Sequence, residues 1–271
     1  MPTKELNNHL QPTFIGEIEI MGKELIHTYR LFLKDSIRKV IDFSQTDQSR
    51  GIAPPPIEKP YPKDAKRIDL PRCDQLKKVG GIDLKTAINN RQSRRSYRHQ
   101  SLSLEELSFL LWATQGIKQK LDDGHALRTV PSAGCRHAFE TYLCIMNVQG
   151  LAQGIYRYLP LEHQLLFEFT EENLSKRMCQ AVFGQSYPES AAVTFIWTTI
   201  PYRMEWRYNI AAHKVIAIDV GHVCQNLYLA CEAIDAGTCA MAAYDQDVID
   251  ELLRIDGQDE FTIYLASVGK C

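Results

Sequence analysis

Four arginines fall within the eight residues Arg91–Arg98, with Ser93 and Ser96 between them, in a chain whose net charge is only −2. A guanidinium matches phosphate oxygens two at a time, and serine hydroxyls add short donors to the same oxygens. From Arg94 onward an extended chain places Arg94, Ser96 and Arg98 on one side and Arg95 and Tyr97 on the other. That arrangement is a clamp for one phosphate. A solvated basic face is the competing reading of any charge run, and on these residues alone the two stand level. A second stretch, Arg128-Thr-Val-Pro-Ser-Ala-Gly134, sets small residues after a proline, which lets backbone approach a flat ligand or another chain. A third, Tyr202-Arg-Met-Glu-Trp-Arg-Tyr208, mixes aromatics and charge ahead of the longest helical pattern.

Other chemistries find little support. Cys73, Cys135, Cys144, Cys179, Cys224, Cys231, Cys239 and Cys271 are scattered, with no Cys-x-x-Cys and no paired Cys/His spacing for zinc. No metal site is expected, and the thiols read as reduced in a cytoplasmic protein. The near-neutral net charge gives no general attraction to nucleic acid or anionic membranes, so anion binding must be local. Met1–Leu10 is polar and unlike a signal peptide. No apolar run approaches the roughly 20 residues that cross a bilayer.

These stretches need elements to hold them. Helical periodicity runs over 23–43, followed by a polar, proline-rich arm over 44–66. That arm reads as a strap along the body or across a dimer, ahead of an SH3-type ligand. Residues 1–82 thus form an N-terminal extension to a domain over 83–271. Asp83 caps a short helix, and Ser103-Leu-Glu-Glu106 is a capping box for a helix ending at Gly116. A polar loop is expected over 117–128. Strands are expected from Glu140, as a hairpin around Pro160, over Ala191–Ile200, over Thr238–Tyr244 and from Phe261. A long helix runs from about Ala211 to Ala236, where Gly221 suggests close approach by a helix or ligand. Helices and strands mix without regular alternation, which predicts an α+β fold on a mostly antiparallel central sheet flanked by helices.

Arg94–Arg98, Leu102–Gly116, Arg128–Gly134, Gly154–Tyr158, the Asp219–Leu229 region and Leu265–Gly269 occur together and in order. The set resembles the nitroreductase superfamily, in particular its SagB/ThcOx-type dehydrogenase branch. The resemblance implies an FMN-dependent oxidoreductase with a nitroreductase-like α+β fold, acting as a homodimer with each flavin at the subunit interface. It implies that Arg94, Ser96 and Arg98 hold the phosphate and ribityl end and that Arg95 lies beside the flavin. Pro131, Ser132, Ala133 and Gly134 would contact the ring, and the Met241, Ala242 and Ala243 backbone would lie near its N5 edge. Lys270 is the remaining basic candidate for phosphate near the C-terminus.

The branch carries Trp-Lys-Tyr before the long helix, where this chain has Trp206-Arg207-Tyr208. Arginine keeps the charge but does not give up its proton, so Arg207 cannot serve as a base, and Tyr208 is left as the candidate acid/base. The expected activity is ping-pong electron or hydride transfer through FMN, with NAD(P)H as a candidate donor and a small molecule or peptide as substrate. The alternatives are an azoline dehydrogenase acting on a modified peptide, and a flavin-binding scaffold subunit with little turnover.

Overall fold

The computed structural model describes residues 12–76 and 79–271, so the polar Met1–Leu10 lies outside it. The chain divides into two units, Met1–Asp42 and Phe43–Cys271. In the first, helix α1 (Pro12–Leu33) begins ahead of the periodicity at residue 23. It stops at Lys34, whose extended backbone leads into a 3-10 turn over Asp35–Val40. Asp35 and Ser36 compete with helical backbone bonds at this point, and Arg38 Nε closes the turn on Asp35 at 2.9 Å. Leu25, Ile26, Tyr29, Phe32 and Val40 are exposed.

The second unit holds α2 (Leu84–Asn90), α3 (Leu104–Gln115), α4 (Leu174–Ala181), α5 (Tyr202–Tyr208), α6 (Ala212–Glu232) and α7 (Gln246–Leu253). Its strands are β1 (Arg67–Asp69), β2 (Ile117–Lys120), β3 (Ala126–Arg128), β4 (Phe139–Ile145), β5 (Gly154–Leu159), β6 (Gln164–Phe169), β7 (Val193–Thr199), β8 (Ala236–Met241) and β9 (Phe261–Lys270). Seven strands form one sheet in the order β1-β6-β5-β4-β7-β9-β8, each pair antiparallel. This is the α+β fold read from the sequence.

Alternate residues of the central strands feed two cores. Leu143, Phe195 and Trp197 meet α3 and α6, whereas Tyr142, Cys144 and Ile196 meet α4 and α7. Because both faces are covered, β4 and β7 are buried at every position, the polar Glu140, Thr141, Thr194, Thr198 and Thr199 included. Full burial of side chains such as Leu143 and Phe195 stabilises the fold by about 1.5–3 kcal/mol each. Asp83 caps α2 through the Thr86 amide, and Ser103 and Glu106 make the reciprocal bonds of a capping box on α3.

The 117–128 segment is not the polar loop expected. It is a hairpin of β2 and β3, turned by Asp122, which accepts the Gly124 amide at 2.8 Å. Its Lys-Gln-Lys face is solvent-exposed, so its polarity conceals a strand that anchors only through Ala126 and Arg128. Gly221 also departs from expectation, since a Cβ built there meets nothing within 4 Å among the described residues.

The proline-rich arm belongs to the second unit and lies along it as a strap. Prolines leave its carbonyls without ladder partners, and buried arginines donate to them. Arg128 Nη2 reaches Ile57 O at 3.1 Å, and Arg157 reaches Lys59 O at 2.9 Å and Pro60 O at 3.2 Å. In return, Glu140 accepts the Lys59 amide at 2.8 Å, and Glu58 accepts the Leu161 amide at 3.2 Å. Burial alone would raise the Glu140 carboxyl, but Arg203 and Arg157 together hold it below its ordinary value.

Candidate functional site

The arginine stretch runs beside the ends of β8 and β9. The Arg94 amide donates to Thr238 O at 3.0 Å and the Arg98 amide to Lys270 O at 2.8 Å. Tyr97 is inserted behind it, its hydroxyl donating to Arg94 O at 2.8 Å and lying 2.7 Å from Ser267 Oγ. Strict alternation therefore fails, because Arg94 and Tyr97 turn inward while Arg95, Ser96 and Arg98 are exposed. Arg94 Nη1 donates to Glu232 at 2.5 Å, so its charge is matched. Arg95 and Arg98 have no ion pair among the described residues. All five residues from Arg94 to Arg98 line one cavity of about 480 Å³ together with Cys271. Two unmatched guanidinium groups and a serine on one cavity fit a phosphate monoester.

Lys270 does not join them. It is buried, with Nζ donating to Glu106 and, at 2.6 Å, to Ile234 O. A lysine this enclosed takes an internal carboxylate because an unpaired buried charge is costly.

A second group forms around Gly134. Its backbone is left-handed, φ +62°, and a Cβ there would lie 2.6 Å from the Tyr208 hydroxyl and 3.1 Å from Arg207 Nε. The fold thus brings Arg207 and Tyr208, at the end of α5, against the Pro131–Gly134 segment. The Arg207 guanidinium also lies over the Tyr208 ring at 5.5 Å. Asp219 of α6 accepts the Ala133 amide at 3.2 Å, while Ser132 Oγ accepts the His137 amide at 3.0 Å. Burial pushes the Asp219 carboxyl up, against the lowering effect of its bonds to Ser132 and Ala133.

The predicted N5-edge segment lies at the end of β8. Met241 is buried in the core, whereas Ala242 and Ala243 are exposed. The preceding Ala240 amide donates to the Tyr228 hydroxyl at 3.0 Å, and that hydroxyl also meets Ser93 Oγ at 2.9 Å. Tyr228 therefore joins the arginine stretch to β8.

Helix α6 organises all of this. Asp219 serves the Gly134 group, and Tyr228 and Glu232 serve the arginine stretch. The 13 helical steps from Asp219 to Glu232 span about 20 Å at the helical rise. Sequence reasoning misses these three residues. Their polar side chains do not stand out in the sequence, because α6 also carries His213, Lys214, His222, Gln225 and Asn226. On the same helix His222 is exposed, and Asn226 joins the helix interface by donating to Ala113 O at 2.8 Å.

The nitroreductase family matches residues 88–270, a span that includes both groups and the whole of α6. The chain belongs to the nitroreductase family. Its resemblance to the SagB-type branch is accompanied by similarity to the trifolitoxin-processing protein TfxB of Rhizobium leguminosarum bv. trifolii. That similarity is 24% identity over 163 residues, covering 57% of this chain and 44% of TfxB. The family protein MJ1384 of Methanocaldococcus jannaschii is 29% identical over 207 residues, covering 76% of this chain and 98% of its own. A nitroreductase-fold crystal structure from Ralstonia eutropha superposes with a TM-score of 0.63 at 24% identity, over 81% of this chain and 98% of that one. The chain thus spans nearly all of MJ1384 and less than half of TfxB. All eight cysteines are free thiols. Among the described residues no helix is long and apolar enough to cross a membrane, and no cluster of His, Cys, Asp and Glu suits a metal ion.

Proposed function

We propose that this nitroreductase-family oxidoreductase is FMN-dependent and of the SagB type, working by ping-pong transfer as a homodimer. The observation that carries the reading is the cavity lined by Arg94–Arg98, where Arg95 and Arg98 keep unmatched charge and Ser96 adds a hydroxyl. Arg95, Ser96 and Arg98 would hold the FMN phosphate, with Arg94 set in place by Glu232. Bound FMN supplies a two-electron carrier that the side chains of this chain lack. The Pro131–Gly134 segment and the Met241–Ala243 backbone would hold the ring. The wide separation of the two groups along α6 supports a site completed by two chains, one gripping phosphate and the other flooring the ring. Tyr208 would exchange a proton with substrate beside that floor, and Arg207 would contribute a fixed positive charge.

A second reading is two-electron oxidation of a modified peptide, as by an azoline dehydrogenase. Similarity to a toxin-processing protein favours it, and Arg207 in place of lysine weighs against it. The deciding experiment is the absorbance spectrum of the purified protein, followed by anaerobic NADH or NADPH. A flavin spectrum that bleaches supports the reductase with a nicotinamide donor. A flavin spectrum that does not bleach supports the dehydrogenase. Colourless protein that cannot be reconstituted with FMN rejects the flavin reading.

A further inference from the structure

The strap and β4 enclose more positive charge than nearby acids offset. Arg128, Arg136, Arg157 and Arg203 are each 5% exposed or less. Glu140 lies between Arg203 and Arg157, Glu168 takes Arg157 Nε at 2.9 Å, and Glu260 is matched by Lys59. Burial pushes the Glu58 carboxyl up to about 7, so it offsets only about half a charge at neutral pH. His137 is pushed down to about 2 by burial and by Arg128, and stays neutral. Arg128 and Arg136 make no ion pair among the described residues, and Glu140 and Glu58 act on Arg128, and Asp122 on Arg136, only from a distance.

Arg136 is nevertheless satisfied. It donates to Arg203 O at 2.7 Å and Gly124 O at 2.6 Å, and stacks 4.6 Å from the Trp206 ring centre. Arg128 and Arg203 are not. Arg128 spends Nη1 on Gln115 Oε1 and Nη2 on Ile57 O, and its buried Nε has no partner. Arg203 spends Nη2 on Glu140, while its buried Nε and Nη1 have none. Gln115 cannot help by flipping, because its oxygen is committed to Arg128, and its own Nε2 is also without an acceptor. These side chains bear on one another. Gln115 and Arg128 are hydrogen-bonded, and after burial the Arg203 charge is the largest influence lowering Arg128, to about 10.

Buried donors are ordinarily paired, and buried charges require an opposite charge. Water would accept hydrogen bonds here yet leave the charge excess in place; an anion answers both. We infer that Arg128, Arg203 and Gln115 form a buried site for a small inorganic monoanion of chloride size. No residue of the Arg94–Arg98 cavity takes part. Through the bond from Arg128 to Ile57 O, the anion would hold the proline-rich strap to the body.

The test is thermal unfolding of the full chain at constant ionic strength, with sodium gluconate replaced stepwise by chloride or bromide. A ligand confined to the native state at 100 times its dissociation constant raises Tm by roughly 5–10 °C for a protein of this size. A saturable rise with both halides, together with slower amide exchange around Ile57 and Lys59, is expected. Gln115→Leu, which removes one neutral donor together with the acceptor of Arg128 Nη1 and no charge, should shift the midpoint to higher halide. Identical Tm in gluconate and halide overturns the proposal. So does a bromide-soaked crystal whose anomalous peaks lie only on the surface, a result that does not depend on any variant folding.

Discussion

The Tyr208 hydroxyl lies 2.6 Å from the position a Cβ would take on Gly134, whose φ of +62° already disfavours any other residue. Segment and side chain are therefore fitted to each other through the missing methyl. Gly134→Ala should cost about 1–2 kcal/mol for the left-handed backbone alone and also displace Tyr208. Chemical denaturation reads the first effect. A flavin titration reads the second if this segment floors the ring; unchanged flavin affinity would remove Gly134 from the site.

Arg94 is tied to Glu232, so its replacement has two consequences. Arg98→Ala should weaken FMN binding by about 1.5–3 kcal/mol through a lost charged hydrogen bond, whereas Arg94→Ala should weaken it less, by releasing the stretch from Glu232. It should also lower stability, because the Glu232 side chain, 8% exposed, loses its partner. Adding Glu232→Gln should restore stability without restoring affinity. Recovery of both would show that Arg94 acts only as a structural partner.

Tyr208→Phe retains the ring against Gly134 and removes the proton. Flavin content should be unchanged and steady-state turnover should fall by about 10²–10⁴-fold if the hydroxyl is the acid/base. Normal turnover would exclude Tyr208 from the mechanism. Arg207→Lys, assayed beside it with a thiazoline- or oxazoline-containing peptide, should gain activity if arginine is what blocks azoline oxidation.

Glu58 gives the strap a pH dependence. Its carboxyl is raised by burial from 4.5 to about 7, against the lowering bond from the Leu161 amide. The folded state therefore holds a proton that the unfolded chain has released between these values. This contribution is fully present below the unfolded pKa and is lost as pH rises through 7, with a magnitude on the order of 3 kcal/mol. Stability measured by denaturant between pH 5 and 8 should fall with rising pH, and Glu58→Gln should flatten the curve. An equally steep curve in the variant would assign the effect elsewhere.

Much of this fold is legible in local sequence chemistry. Asp83, Ser103-Leu-Glu-Glu106 and Asp245 mark helix starts because capping is completed within three residues. The β-branched and aromatic residues of β4 and β7 and the helical periodicity of α6 stand out because burial leaves a strong compositional trace. The β2–β3 hairpin is not legible in this way. Its exposed face is polar, so the apolar alternation that marks a strand is missing even though its pairing lies within its own span. The early start of α1 at Pro12 also lies outside the periodicity that reveals residues 23–33.

Sequence alone determines the family order of motifs, the cluster of four arginines over Arg91–Arg98 and the presence of Arg207 between Trp206 and Tyr208, all statements about residue type and spacing. Tertiary structure decides which charges remain available. Arg94 and Lys270 look equivalent to Arg95 and Arg98 in sequence, yet Glu232 and Glu106 claim them. The same holds for the arginines under the strap, whose partners are carbonyls up to 98 residues away. A charge is functional or structural according to what faces it, and only packing between distant segments settles that.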